Sequence, residues 1–413
     1  MRGSLSRRAV RRWAALVAGS VAALTTAVAL AAPGDLDPSF SGDGRWTRTD
    51  ASGLRANDVL LLPDGSLLLV GIWDNVGEWS VVRLQGDGAA IVDVIRPTMN
   101  SMNGVGAAAL QADGKLIVVG SQGSSARVSR FTVNPRLELD ASFDGDGTKL
   151  TAFGGTSGYA TGVLVQPDGK IVLVGRGGAG DDAAVARLNP DGSFDTSFDG
   201  DGIATVDIGP SPSANAVALQ PDGKLVIAGA DDAAGGNIVL FRLNQNGTLD
   251  GNFDADGKRT IDLGGPDRPE AIVAQPDGRI VVLAAGAAGF LSLMRLNPDG
   301  SFDPSFASDG SLELAFNPGR YSLPADLALR TDGKLVVASS DRGGTPFSSD
   351  FELAMATAAG ALDTGFDFDG RKTIDIDGVD TAYGVALQPN GAIVIAGESS
   401  AGGTMAAARV LSD

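Results

Sequence analysis

Between Ala214 and Gln220 apolar and polar residues alternate with a period of two, the pattern of a half-buried strand. Pro221-Asp222-Gly223 follows as a tight turn: Pro presets φ, Asp tolerates the next position and Gly takes the left-handed one. Lys224 to Gly229 is the returning strand, rich in Val, Ile and Leu. After a short loop, Ile238 to Leu243 reads as a third strand, Asn244 to Gly257 as a turn-rich connection, and Lys258 to Leu263 as a fourth. No long stretch after the N-terminal leader has the 3.6-residue period of an amphipathic helix.

The same cycle recurs. The turn glycines are Gly65, Gly114, Gly169, Gly223, Gly278, Gly333 and Gly391, spaced 49, 55, 54, 55, 55 and 58 residues apart. A unit of this size cannot bury its own apolar faces and must stack on its neighbours. Four strands per unit predict an all-β fold, a seven-bladed β-propeller of four-stranded antiparallel blades. Past the leader, the chain starts with a connection and a fourth strand, Leu36 to about Thr49, and ends on a third strand, Met405 to Leu411. The N-terminal strand therefore completes the last blade and closes the ring, which removes two exposed edges. An open array of the same units leaves those edges bare.

Composition narrows the chemistry. The chain has no cysteine and no histidine. Disulfides, zinc thiolate sites and Ser-His-Asp or Cys-His hydrolysis are excluded, which leaves carboxylate, Lys, Tyr or Ser-Lys chemistry for any enzyme. Arg2, Arg7, Arg8, Arg11 and Arg12 precede an apolar stretch from Trp13 to about Leu30 and a small-x-small site at Ala29-Leu30-Ala31. Residues 1–31 thus read as a signal peptide, with Arg7-Arg8 allowing a twin-arginine route, and residues 32–413 as a single propeller domain that is periplasmic or extracellular. Without that leader the formal charge falls from −18 to −23. Such acidity argues against nucleic acid and anionic membrane as partners. No later stretch is long and apolar enough to span a bilayer.

Third strands carry a recurrent arginine at Arg83, Arg130, Arg187, Arg242, Arg295 and Arg409. The unit near Met355 lacks it. Just beyond lie Asp37, Asp140, Asp195, Asp250, Asp303 and Asp363, each followed three residues on by Phe40, Phe143, Phe198, Phe253, Phe306 or Phe366. The stretch from Gly86 to Ile95 keeps neither. The Arg and Asp read as a repeated structural ion pair, and the Phe as an apolar wedge in the blade seam. The loops also hold paired carboxylates: Asp140 with Asp144 and Asp146, Asp195 with Asp199 and Asp201, and Asp250 with Asp254 and Asp256. Such sets can hold calcium, although they lack the terminal Glu and spacing of an EF-hand. Turn capping by Asp, with Gly supplying φ > 0, explains them equally in kind.

The phrases Gln-Pro-Asp-Gly-Lys-Ile-Val-Leu-Val-Gly (166–175) and Arg-Leu-Asn-Pro-Asp-Gly-Ser-Phe-Asp-Thr-Ser-Phe-Asp-Gly-Asp-Gly (187–202) resemble the delta-60 repeat family of bacterial surface and secreted proteins. The resemblance covers nearly all of the chain after the leader. It implies an exported propeller and brings no catalytic residues.

Alternating strand direction puts the repeated motifs on one face of the ring and the variable loops on the other. Trp73, Trp79, Tyr159, Tyr321, Phe347 and Tyr383 fall in or beside the variable loops and are the candidate ligand-binding residues. The expected function is a non-enzymatic binding or surface-interaction scaffold for a carbohydrate, peptide or protein, and a monomer is expected because a closed ring has no free edge. The alternatives are a carboxylate-based carbohydrate-active hydrolase or lyase in the central pocket, and a calcium-stabilised structural module. An enzyme needs two unlike carboxylates that break the symmetry, and the repeated acids offer no such pair.

Overall fold

The second strand of each unit is apolar on both sides because both sides are covered. Leu67–Val70, Ile171–Val174 and Ile280–Leu283 are fully buried, each sandwiched between neighbouring sheets. The computed structural model describes residues 32–48, 53–73, 78–95, 102–178, 180, 182–210, 212–231, 236–286, 289–316, 321–342, 349–399 and 403–412. The leader lies outside them.

Among the described residues the strands form seven antiparallel sheets, each a simple meander. Blade 1 comprises Leu54–Leu61, Leu67–Trp73, Glu78–Leu84 and Ile91–Ile95. Blade 2 comprises Met102–Leu110, Leu116–Gln122, Ser125–Thr132 and Thr148–Thr151, with a short extra strand at Glu138–Leu139. Blade 3 runs Tyr159–Val165, Ile171–Gly177, Asp182–Leu188, Ile203–Val206, and blade 4 runs Pro212–Leu219, Leu225–Asp231, Asn237–Leu243, Lys258–Ile261. Blade 5 is Arg268–Ala274, Ile280–Ala285, Leu291–Leu296, Ser311–Leu314, and blade 6 is Tyr321–Leu329, Leu335–Arg342, Phe351–Ala356, Arg371–Ile374. Blade 7 holds Asp380–Leu387, Ile393–Ser399 and Thr404–Val410, completed by Arg45–Thr47 from the other end of the chain. The closing register pairs Arg45 with Ala408, Trp46 with Ala407 and Thr47 with Ala406. The first strand of every blade packs against the first strands of both neighbours, blade 7 on blade 1 included, so the ring is closed.

The hydrophobic core is correspondingly divided into seam clusters rather than one centre. Val172, Val185 and Phe198 of blade 3 meet Leu225, Ile227 and Phe241 of blade 4. Trp46, Val394 and Ala407 of blade 7 meet Leu54, Leu67 and Val82 of blade 1. Each buried Phe of the recurrent motif contributes roughly 1.5–3 kcal/mol by leaving water.

A polar latch lies beside each wedge. Arg187 donates through Nε to Asp195 (2.6 Å), lies over the Phe198 ring (4.6 Å) and donates through Nη1 to the carbonyl of Gln245 in blade 4 (2.5 Å). Arg295 does the same with Asp303 (2.8 Å), Phe306 (4.7 Å) and Ala358 (2.5 Å) of blade 6. Arg130 and Arg242 reach Pro190 and Pro298 of their next blades, and Arg409 reaches Gly86. The turn lysine adds a second cation: Lys170–Asp195 is 3.1 Å and Lys224–Asp250 is 3.0 Å. The spacing-predicted ion pair is therefore present in blades 2, 3, 4, 5 and 7, and there it ties the blade to the next as well as to itself.

The two departures in sequence have local answers. Blade 1 lacks the Asp, so Arg83 pairs with Asp64 of its own turn (2.5 Å) and still reaches Val133 and Asn134 of blade 2. In blade 6, Met355 replaces Arg and is fully buried beside Phe366. That seam faces the cut in the chain: Asp367 N bonds the carbonyl of Pro33, where Asp144 N bonds that of Asp191 within a continuous turn.

Candidate functional site

Each first strand carries a one-residue irregularity near its start. The register shifts between Ala56 and Asp58, Ala160 and Gly162, Ala214 and Ala216, Pro269 and Ala271, Pro324 and Asp326, and Ala382 and Gly384. Blade 2 shifts between Val105 and Ala107. A bulge turns the extra residue out of the pleat and re-aims its side chain. The extra residues are Asn57, Gly106, Thr161, Asn215, Glu270, Ala325 and Tyr383, and all seven line one cavity. A cavity lined from all seven blades is the axial channel.

The channel has a vestibule of about 460 Å³, walled also by Arg268, Leu323 and Thr381, and a deeper part of about 220 Å³ that includes Asp58 and Asp326. The vestibule residues open their strands, so it lies on the face of the blade-to-blade connections. The bulge positions carry six residue types over seven repeats, Asn occurring twice, although the motifs around them are nearly the same.

The groups there are polar and unlike. Asn215 donates to the carbonyl of Pro269 (2.9 Å) and Thr161 to that of Ala214, so these two also join neighbouring blades. Asn57 Oδ1 is buried without a partner. Glu270 lies 3.6 Å from Arg268; burial pushes its carboxyl up to about 7, against the pull of that guanidinium. Burial and the charge of Asp326 push Asp58 up to about 7, although the amides of Ala108 and Val59 favour its ionised form. Burial raises Asp326 to about 6, opposed by the amides of Val385 and Leu327. These carboxyls keep some surface on the lumen, yet protein surrounds them, and the narrow channel solvates charge poorly. Tyr383 donates to Glu398 Oε1 (3.1 Å) and lies 5.8 Å from the Arg55 guanidinium; burial, then Glu398, raises its hydroxyl to about 12.

Of the six aromatics singled out from sequence, Tyr383 is in the channel. Tyr159 opens the first strand of blade 3, 39% exposed, at the position Arg268 holds in blade 5. Tyr321 opens the first strand of blade 6, and Phe347 lies outside the described residues. Trp73 ends a strand and packs partly buried at the seam of blades 7 and 1. Trp79 corrects the expectation of a loop aromatic: it is inside a strand, fully buried, donating to the Gly104 carbonyl (3.3 Å) under Arg127. It is unavailable for stacking on a ligand.

The loop aspartates are engaged locally. Asp140 accepts from Arg130 (2.8 Å) and Lys115 (3.1 Å); burial raises its carboxyl, but Ser142, Lys115 and Arg130 together hold it well below the usual range. Asp195 is depressed likewise, by Ser197, Lys170 and Arg187 against burial, and Asp250 by Lys224, Asn252 and Arg242. Asp144, Asp199 and Asp254 take left-handed backbone, and Asp144 and Asp254 pair with Lys149 (3.0 Å) and Arg259 (3.1 Å). Asp146, Asp201 and Asp256 accept from the amides two residues on, those of Thr148, Ile203 and Lys258. Among the described residues the carboxylate trio that does converge is a different one, Asp350, Asp375 and Asp380.

The bulge ring was missed in the sequence, although it leaves a signal. Gly71 and Gly175 sit in second strands where a Cβ would strike the carbonyl oxygens of Arg55 and Tyr159, which the bulges push toward them. Pro269 and Pro324 interrupt first strands immediately before the bulged residue. Isolated glycine or proline inside a strand marks such a site.

Comparison with known proteins agrees with the fold. Residues 166–198, 220–253 and 275–306 match a family described as a domain of unknown function (DUF5122) beta-propeller. No curated protein matches the chain. Among solved structures, hydrazine synthase of Kuenenia stuttgartiensis superposes with a TM-score of 0.56 at 14% identity, over 89% of this chain and 98% of that one. A gluconolactonase of Xanthomonas campestris gives 0.41 at 17% identity (79% and 97% covered), and Drosophila Semaphorin 1b gives 0.46 at 9% (91% and 87%). At such identities the likeness concerns the fold alone. The chain is a seven-bladed propeller, and three of its repeats are similar to a β-propeller repeat model.

Proposed function

We propose that this protein is an exported, non-enzymatic binding propeller of the delta-60 kind, and that its ligand enters the axial vestibule. The observation that carries the reading is the bulge ring: seven equivalent positions hold Asn57, Gly106, Thr161, Asn215, Glu270, Ala325 and Tyr383. A purely structural position in a repeat would be expected to repeat. The vestibule's size falls in the range of small-molecule sites. Its carboxyls and Asn57 Oδ1 are acceptors, which suit a hydroxyl-rich ligand such as one or two sugar units at the end of a glycan. Export rests on the basic leader and the small-x-small site of residues 29–31.

The test is a glycan array followed by titration of Glu270→Gln and Asn57→Ala. Both variants should lose at least tenfold in affinity for whatever sugar the wild type retains. Unchanged affinity in both would remove the ligand from the channel.

A carboxylate enzyme is the second reading, favoured by the channel acids: Glu270 and Asp58, both raised to about 7 chiefly by burial, match the requirement for acid–base work at neutral pH. Turnover of a polysaccharide that disappears in Glu270→Gln, with binding retained, would promote it over the scaffold.

A further inference from the structure

Three carboxylates meet where blade 6 abuts the closing blade. Asp350 directly precedes the strand Phe351–Ala356, Asp375 directly follows Arg371–Ile374, and Asp380 opens the first strand of blade 7. One carboxylate oxygen from each lies within 4.8 Å of the others. Their backbones are pinned: Asp380 N donates to the carbonyl of Ser349 (2.6 Å), and Asp350 N to Asp341 Oδ1 (3.0 Å).

The second observation is a buried oxygen. Asp380 is fully buried, and its Oδ2 accepts from the amide of Ile376 (2.6 Å). Its Oδ1 makes no hydrogen bond of good geometry, although the Ser399 hydroxyl and the Asp377 amide lie near enough to favour the ionised carboxylate against burial. A buried carboxylate oxygen left in this state costs free energy unless a cation or donor meets it. Arg45, the basic side chain that bonds this loop, spends Nε on the backbone carbonyl of Asp375 (2.8 Å).

The fold supplies its own comparison. At the seam of blades 4 and 5, Asp267 directly precedes the first strand, its Oδ2 accepts from Leu263 N (2.5 Å), its Oδ1 is likewise buried without a partner, its N donates to the Gly236 carbonyl (2.8 Å), and Asn237 N donates to Asp231 Oδ1 (2.6 Å). Asp262 follows the fourth strand there as Asp375 does in blade 6. The frame is the same, but Asn237 stands where blade 6 has Asp350, so one carboxylate is missing.

We propose that Asp350, Asp375 and Asp380 bind one hard divalent cation of the calcium class and that this ion fastens blade 6 to closing blade 7. Calcium takes carboxylate oxygens and water in flexible geometry, and three carboxylates with open access through exposed Asp375 fit that chemistry. The site is separate from the Asp-Gly-Asp-Gly loops. Thr381 and Tyr383, immediately beyond Asp380, wall the vestibule, so the ion would also steady one side of the channel.

The experiment is calorimetric titration of the leader-free protein with calcium chloride at physiological ionic strength, after treatment with a chelator, with thermal melts in parallel. One ion per chain and a melting midpoint raised by calcium and lowered by chelator are expected. Asp350→Asn and Asp375→Asn should each weaken binding at least tenfold while keeping the wild-type circular dichroism. Asp267→Asn and Asp144→Asn should leave the isotherm unchanged. Absence of saturable binding, or an isotherm that survives Asp350→Asn with Asp375→Asn together, overturns the site; several weak ions spread over an acidic surface would give the second result.

Discussion

Arg187 of blade 3 donates through Nη1 to the backbone carbonyl of Gln245 in blade 4, at 2.5 Å, while its Nε holds Asp195 at 2.6 Å. One side chain therefore ties its own blade and grips the next. Both partners of the ion pair are nearly buried, with 6% and 8% of the side chains exposed, so solvent screens it little. Arg187→Ala leaves Asp195 with Lys170 (3.1 Å) and Ser197 but removes its buried guanidinium partner and the bond to blade 4, and should cost about 1.5–3 kcal/mol. Arg187→Lys keeps the charge but not the fork, and should recover at most about half of that. Urea midpoints at constant slope measure both. A loss below about 1 kcal/mol for Ala would mean the latch behaves like an exposed pair.

Two populations of carboxylate set opposite pH slopes. Asp37, Asp140, Asp195, Asp250, Asp303 and Asp363 are held below their usual range in the fold, so the stability they add is present above about pH 4 and is lost as pH falls through the folded values. Asp58, Asp326 and Glu270 are raised to about 7, 6 and 7, so the folded state holds protons that the unfolded chain releases. Their effect runs the other way, and stability falls as pH climbs from about 4 to 7. Chemical denaturation across pH should therefore give a maximum near pH 5, with a steep acid limb. A plateau from pH 5 to 8 would show that the channel carboxyls are solvated normally.

The architecture was legible because it is written seven times. The Pro-Asp-Gly turn at Gly223 and the buried run Leu225 to Gly229 recur at matching offsets, and period-two alternation needs no tertiary information. Ring closure was legible from the end strands alone, and Arg45 to Thr47 pair where expected. The latch was half legible: an Arg and an Asp eight residues apart suggest a pair, as at Arg187 and Asp195, but the carbonyl of Gln245 is 58 residues away and nothing local points to it. Of the channel's lining only Tyr383 was read. A bulge looks like one more residue in an alternating strand, so Glu270 reads as a scattered acid until the register is known. Trp79 was misplaced because Ile72 and Trp73 extend their strand farther than the glycine at Gly71 suggests.

Trp46 tests closure. It is 8% exposed and packs with Leu54 and Val82 of blade 1 and with Val394 of blade 7, although its own strand is only Arg45–Thr47. So short a strand depends on that side chain for its place. Trp46→Ala should cost about 3–5 kcal/mol, as large aromatic truncations in cores do. Hydrogen exchange should then speed first at Ala406 to Ala408, the residues it pairs with. Uniform acceleration over all blades would mean that the ring opens as a whole and not at this seam.

Gly175 tests the link between bulge and channel. A Cβ there would meet the Tyr159 carbonyl and the Ala160 backbone. Gly175→Ala must push the first strand of blade 3 away, at a cost of about 1–3 kcal/mol for overpacking. Relief by flattening the bulge would turn Thr161 out of the channel and break its bond to Ala214. Exchange of the blade 3 first-strand amides should rise more than that of blade 5, which is two blades removed in the ring. Equal protection in both would separate the glycine from the bulge.

Glu270→Gln separates the cost of the channel from its use. At pH 8 the wild type carries a poorly solvated carboxylate there, its pKa raised to about 7 chiefly by burial. The side chain keeps some surface on the lumen, so channel water screens part of the penalty. Gln keeps the shape and removes the charge, and should stabilise the protein by about 1–2 kcal/mol at pH 8. At pH 5, where Glu270 is protonated in the fold, the two proteins should differ far less. The sign follows from the direction of the shift: ionisation opposes folding, so its removal helps only where the group would ionise. An ionisable residue held at such a cost, at a position where the other six repeats carry uncharged residues, is hard to explain by packing. A variant that gained no stability at pH 8 would mean that Arg268, 3.6 Å away, already compensates the charge, and the case for a selected channel acid would fail with it.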